Sequence, residues 1–255
     1  RLGGQSVIPV DVRVVAATNR HLKEAVEVVL PSQSATAFHY GAAHGFGPFL
    51  GSLSRFLSEI ETYGGDFDER NFFLTAGASQ GFDMACTLFS ETGDCVFVEE
   101  PTYFVIESIF RERGLEVIGV KTDMNGICLQ DLEDKLNKGL RPKFLYTIPT
   151  YQNPTGITLS SDRRQQILDI AIKYDIPIIE NESYADFRID GPELPHSIKS
   201  LDTDDLVIYV SSFTKLPPTL DRFSGLSLYE SSVAGRYEHR RYPWHQTQNQ
   251  AMILY

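Results

Sequence analysis

Five short stretches hold the residues with the most chemical potential. "SSFTK" (211–215) places Lys215 just past a run of β-branched and aromatic residues. "NESY" brings Asn181 and Tyr184, "PTYQNPTG" brings Tyr151 and Asn153, and "PTY" brings Tyr103. "AGASQG" (76–81) is a small-residue turn containing Ala78, Ser79 and Gln80. A lone lysine is ordinarily a solvated charge. An amine fixed at a strand end among hydroxyl and amide groups is a nucleophile for a carbonyl compound. A small-residue turn that opens a helix either cradles an anion on backbone N–H groups or is an ordinary tight turn with an N-cap. Taken jointly, an anion cradle, tyrosines, asparagines and a lysine describe a pocket for a flat, anionic, aldehyde-bearing ligand.

That reading requires each stretch to follow a strand, and the pattern supplies the strands. "NFFLT" precedes the small-residue turn, and a helix then runs to about Ser90. "CVFVEE" (95–100), "LEVIGV" (115–120), "KFLYTI" (143–148), "IPIIE" (176–180) and "DLVIYV" (205–210) read as further strands. Helices are predicted from about Tyr103 to Arg113, over "LQDLEDKLNKG" with Gly139 as C-cap, and after Ser160 or Ser161. Strands of about six residues alternating with longer helices predict an α/β fold. Its form is a three-layer α/β/α arrangement on a mostly parallel sheet. In such sheets ligands collect at the carboxyl ends of the strands.

The bulk properties narrow the partners. The chain has 255 residues, 42% hydrophobic, which suffices for one or two packed domains. A formal net charge of −11 argues against a nucleic-acid partner, and the Arg–aromatic cluster "RYEHRRYPWH" is short and local. Cys86, Cys95 and Cys128 are an odd, widely spaced set, which predicts neither a disulfide framework nor a metal site. No apolar run reaches the roughly 18 residues of a membrane span, and no signal peptide is visible, so a reducing cytoplasm is the expected compartment.

From about Tyr40 onward the sequence resembles the class I/II aminotransferases, fold type I enzymes that use pyridoxal 5′-phosphate. The stretches that carry the resemblance are "HYGAAHGFGPFLGSLSRFL", "LTAGASQGFDMA", "VEEPTYF", "YTIPTYQNPTGITLSSDRR", "IIENESYADF" and "SSFTKLPPTLDRFSGL". "QNPTG" and "SFTK…R" are the specific pieces. "YTIPTYQNPTG" looks most like the branch with 2-aminoadipate aminotransferases and the aminotransferase-like domains of MocR regulators.

The resemblance implies transfer of an amino group between an amino acid and a 2-oxo acid. It implies that Lys215 holds the cofactor aldehyde as an imine and then moves the proton at the substrate α-carbon. Arg222 would clamp the phosphate with Ser212, Ser79 and the backbone near Ala78 and Gln80. Tyr103 would stack on the pyridine ring, and Asn153 and Tyr184 would bond the 3-hydroxyl oxygen. Tyr40 would reach the phosphate of a neighbouring subunit, which implies a homodimer.

Three departures matter. Asn181 stands where the family has Asp, so no carboxylate is at hand to keep the ring nitrogen protonated. The flanking Glu180 and Glu182 point to the opposite face of a strand. The chain is expected to be a C-terminally truncated aminotransferase, with the substrate-carboxylate arginine beyond it. Residues 1–27 resemble a fragment of the AAA+ domain of NtrC-like activators, around a sensor-type Asn19, which leaves 28–255 as the aminotransferase part. The alternative for 1–27 is an unusual first strand and helix of the main domain. No P-loop occurs in the chain.

Two rival functions fit parts of the pattern. A serine acyl-enzyme fits Ser212-Phe-Thr-Lys215 as S-x-x-K, with Tyr151-Gln-Asn153 as a second element. It lacks the K-T-G-like third element. A catalytically impaired or regulatory cofactor-binding domain is favoured by Asn181.

Overall fold

A computed structural model describes residue 45 and residues 47–59, 71–185, 188, 190–212 and 225–228. The chain divides at residues 40 and 41, and every described residue lies in the second unit. Tyr40, Lys215, Arg222 and the whole of 1–27 lie outside the described residues.

In chain order the elements are α1 (Gly47–Glu59), β1 (Phe72–Leu74), α2 (Ala78–Phe89), β2 (Cys95–Glu100), α3 (Phe104–Glu112), β3 (Glu116–Asp123), β4 (Gly126–Ile127), α4 (Leu129–Asn137), β5 (Leu145–Thr147), α5 (Ser161–Tyr174), β6 (Ile178–Asn181), α6 (Ile198–Leu201), β7 (Val207–Ser212) and β8 (Gly225–Leu228). One eight-stranded sheet runs in the order β1-β8-β7-β6-β5-β2-β3-β4. The pairs β2·β3, β2·β5, β5·β6 and β6·β7 are parallel. The edges are antiparallel, through β1·β8, β7·β8 and β3·β4.

The central strands are near-continuous apolar runs because both faces are covered. On one face Val96, Val98, Tyr146, Ile179, Ile208 and Val210 meet α2 and α3 through Phe82, Cys86, Ile106 and Phe110. On the other, Phe97, Leu145, Ile178 and Val207 meet α4, α5 and α6 through Leu132, Leu136, Ile167, Leu168 and Ile198. Leu50, Leu53 and Leu57 of α1 pack on Phe72 and Tyr209. This is the expected three-layer α/β/α arrangement.

The local signals act where the sequence puts them. The Ser160 hydroxyl caps α5 by accepting from the Arg163 N–H at 3.2 Å, and Asp175 ends that helix in the left-handed region. Four elements are absent from the predicted set: β4, β8 and α6, which at two to four residues are too short to show a period, and the longer helix α1, which precedes the alternating pattern.

Strand direction sets where the ends fall. β8 reverses relative to both β1 and β7, so β1 runs with the parallel strands. The carboxyl ends of β1, β2, β5, β6 and β7 therefore lie along one edge of the sheet.

Candidate functional site at the carboxyl edge of the sheet

The small-residue turn leaves β1 at that edge. Gly77, at φ 96, is the N-cap of α2, and no side chain caps this helix. The positive φ is open to glycine and strained for other residues. The Thr75 hydroxyl donates to the Gly77 carbonyl at 2.9 Å, and Gln80 Oε1 accepts from the Ala76 N–H. Gln80 thus closes the turn from within. Ser79 is exposed on the first turn and Ala78 is half-buried.

Past β2, Tyr103 is half-buried against the first core at the start of α3. Past β5, the loop 149–159 is tightly bonded. The Leu159 N–H donates to the Pro149 carbonyl at 2.8 Å, and the Gln152 N–H donates to Ile157 at 2.8 Å. The Tyr151 N–H donates to Thr158 Oγ1 at 3.2 Å. Tyr151 sits at φ 50, an unusual backbone for an aromatic residue that this bonding sustains. Asn153 and Tyr184 line one cavity of about 520 Å³ together with Tyr151, Gln152, Pro154, Gly156 and Asp190. Among the described residues that the sequence singles out, Tyr151, Asn153 and Tyr184 share this cavity. Ala78, Ser79, Gln80, Tyr103, Asn181 and Ser212 share the same sheet edge.

Asn181 ends β6 and is buried on the face of Ile179. Its Oδ1 accepts from the Ser183 N–H at 3.1 Å and from the Ser183 hydroxyl at 2.6 Å. Its Nδ2 donates to the Tyr146 hydroxyl at 2.7 Å. A backbone N–H can only donate, so the orientation of the amide is fixed. Tyr146 is itself buried, edge-on to Phe82 of α2 at 5.5 Å, and burial holds its hydroxyl well above the usual range.

Glu180 and Glu182 alternate to the other face, as strand geometry requires. Glu180 accepts from the N–H groups of Ile198 at 2.7 Å and Lys199 at 2.8 Å. Glu182 Oε1 accepts from the Thr150 hydroxyl at 2.9 Å and from Arg164 Nη1 at 3.1 Å. Burial pushes both carboxyls up, and the Glu180 charge pushes Glu182 further. Glu99, on the same face, accepts from the Thr147 hydroxyl (2.7 Å), Gln152 Nε2 (3.0 Å) and the Ile148 N–H (3.3 Å). Burial pushes this carboxyl up to about 7.

The sequence places Glu180 and Glu182 on this opposite face but does not single out Glu99, Thr150, Gln152 or Arg164 as their companions. Arg164 carried a signal: with Ile167, Leu168 and Ala171 it lies on the buried stripe of α5, where a cation requires a buried partner. Among the described residues no group of acidic, His or Cys side chains could hold a metal, and the three cysteines are free. Among them, too, no helix is long and apolar enough to cross a membrane.

Residues 11–216 match the family described as aminotransferase class I and II. The chain is 33% identical over 197 residues to an aromatic-amino-acid aminotransferase of Thermococcus litoralis, covering 76% of this chain and 46% of that protein. It is 31% identical over 185 residues to YdfD, an HTH-type transcriptional regulator of Bacillus subtilis, covering 72% and 37%. The fold superposes on a Pyrococcus horikoshii kynurenine aminotransferase, crystallised with PMP, with a TM-score of 0.75 at 28% identity, covering 91% and 55%. The chain spans about half the length of the curated relatives it matches.

Proposed function

The chain belongs to the class I and II aminotransferases, and from that premise we propose that it transfers an amino group between an amino acid and a 2-oxo acid, with pyridoxal 5′-phosphate as cofactor. The observation that carries this reading is the cavity shared by Asn153 and Tyr184, at the edge where the anion turn and the end of β7 also lie.

The donors at that edge suit such a cofactor. The uncapped N-terminus of α2 with Ala78, Ser79 and Gln80 favours a phosphate, aided by Ser212 and Arg222. The partner subunit's Tyr40 completes the phosphate site in a cytoplasmic homodimer. Tyr103 supplies a ring face, and Asn153 and Tyr184 supply hydrogen bonds to a ring oxygen. Lys215, three residues past the end of β7, holds the cofactor and moves the proton at the substrate α-carbon. When bound, the cofactor contributes an aldehyde and a ring that draws electrons from that carbon. Within the family we favour the 2-aminoadipate and regulator-like branch. Residues 1–27 stand in this reading as a separate activator-like segment, while the family match itself begins at residue 11.

Asn181 sets the rate in this reading. Its oxygen is held by Ser183, so the amide has only N–H to offer toward a ring nitrogen. An N–H suits an unprotonated nitrogen and supplies no charge for a protonated one. A second reading, a cofactor-binding domain with impaired catalysis, draws support from this amide and from the likeness to a transcriptional regulator.

Two experiments test the proposal. Added pyridoxal phosphate gives a visible absorbance band that is lost in Lys215→Ala; reductive trapping on a different lysine overturns the assignment. Asn181→Asp accelerates the half-reaction with an amino acid about 100-fold, equivalent to about 2.7 kcal/mol, with little change in cofactor affinity. Cofactor binding without turnover in either form selects the impaired reading.

A further inference from the structure

Arg164 is fully buried, and its hydrogen bonds converge on the segments that carry the candidate site. Nε donates to the Leu159 carbonyl at 3.2 Å. Nη1 donates to Glu182 Oε1 at 3.1 Å and to the His196 carbonyl at 3.2 Å. Nη2 donates to the Pro149 carbonyl at 3.1 Å and to Thr150 Oγ1 at 2.8 Å. Thr150 then donates to the same Glu182 oxygen, closing a triangle.

The choice of acceptors is informative. Pro149 and Leu159 are the two feet of the loop that carries Asn153, and they also bond each other. Glu182 stands one residue from Asn181 and two from Tyr184. The guanidinium therefore ties the Asn153 loop to the Tyr184 strand end from the far side of the sheet. A buried ion pair is weak evidence for stability, because apolar residues of the same volume often do as well. A planar fork with fixed donor directions is suited to setting geometry between two segments.

We propose that Arg164, acting through Thr150 and Glu182, is a positioning residue that fixes Asn153 and Tyr184 relative to each other across their cavity. The proposal rests on the cofactor reading above. It places the tolerance of the site in a network that touches neither cofactor nor substrate.

The test uses Thr150, whose hydroxyl joins the arginine to the carboxylate. Thr150→Val keeps the shape and removes the hydroxyl, whereas Thr150→Ser keeps the hydroxyl. In the cofactor-loaded protein, Thr150→Val lowers the rate of the amino-transfer half-reaction about 10- to 100-fold, and Thr150→Ser stays within about twofold of the parent. The pH midpoint of the bound cofactor's absorbance moves in the valine variant and not in the serine variant. If Thr150→Val does not fold, Thr150→Ala takes its place, since it removes the hydroxyl without pressing a methyl on the guanidinium. Equal rates and equal midpoints in the two forms, with only thermal stability lowered, overturn the proposal. Hydrogen exchange of the amides in 150–158 separates the two readings without cofactor. Should the parent fail to bind pyridoxal phosphate, the cofactor reading falls. The network is then judged by whether these amides lose protection in Thr150→Val alone, as proposed, or exchange alike in all forms, which overturns it.

Discussion

Glu99, near the end of β2, and the pair Glu180 and Glu182, at the end of β6, are buried on the same face of the sheet with only β5 between them. Both networks grip the loop 149–159. Glu99 holds it through Gln152, whose Nε2 also donates to the Pro101 carbonyl at 2.8 Å and whose Oε1 accepts from the Thr155 N–H at 2.8 Å. Glu182 holds it through Thr150 and Arg164. The difference lies in the donors. The hydroxyl, amide and backbone donors that hold Glu99 are all neutral, whereas the β6 pair faces a guanidinium, at 3.1 Å from Glu182 and 3.9 Å from Glu180. Neutral donors lower the cost of a buried charge without cancelling it, so the Glu99 anchor gives up its charge near neutral pH. One guanidinium shared by two carboxyls offsets a single charge and fixes directions, but burial and the Glu180 charge still push Glu182 up to about 8, and losing the arginine leaves a large penalty.

The largest break in that comparison is Arg164→Met. It takes the guanidinium away from two buried carboxyls and three carbonyl acceptors, and the expected loss is about 3 to 5 kcal/mol in urea unfolding. The double variant Arg164→Met with Glu182→Leu recovers part of this loss, because fewer charges remain uncompensated. A double variant worse than the single would show that the arginine acts mainly through the carbonyls.

Glu99→Gln probes the other anchor through pH. The folded carboxyl stands at about 7 against an ordinary 4.5, so the folded state keeps its proton where the unfolded chain releases it. Stability from this group is full below pH 4.5, falls as pH rises toward 7, and is level above. The fall amounts to about 3 kcal/mol. Glu99→Gln does not titrate, so the stability difference between parent and variant changes by that amount across the window. A flat difference curve would mean that Glu99 is ionised throughout in the folded protein.

The sequence was most legible where chemistry and period coincide. The strand CVFVEE and the helix after Ser160 fall within a residue or two of β2 and α5, since apolar period and caps mark them. Asn153 and Tyr184 could be placed at strand ends from "QNPTG" and "NESY", and they share a cavity. Glu99, Thr150, Gln152 and Arg164 could not be ordered into networks, because the bonds that join them to one another span 14 to 53 residues. The lock on Asn181 depends on Tyr146, 35 residues distant on a neighbouring strand, which no local pattern reveals. Lys215, Arg222 and Tyr40 rest on sequence resemblance, since they lie outside the described residues.

The smallest expected effect, and the finest test of the comparison, is Thr147→Val. Thr147 is fully buried, and its hydroxyl donates to Glu99 Oε1 at 2.7 Å. Valine reproduces the branched shape and removes the donor, leaving Glu99 with Gln152 and the Ile148 N–H. A hydrogen bond to a charged group is worth more than one to a neutral group, so the cost depends on whether Glu99 is ionised. Above pH 7 the loss is about 1 to 2 kcal/mol, and below pH 4.5 it is about 1 kcal/mol or less. Removing a donor to the carboxylate also raises the folded carboxyl further, so the falling limb of the stability curve extends to higher pH. Urea unfolding of parent and variant at both ends of the window measures the difference directly. An equal cost at the two ends would mean that Glu99 keeps one protonation state across the window, and the pH dependence that sets this anchor apart would then disappear.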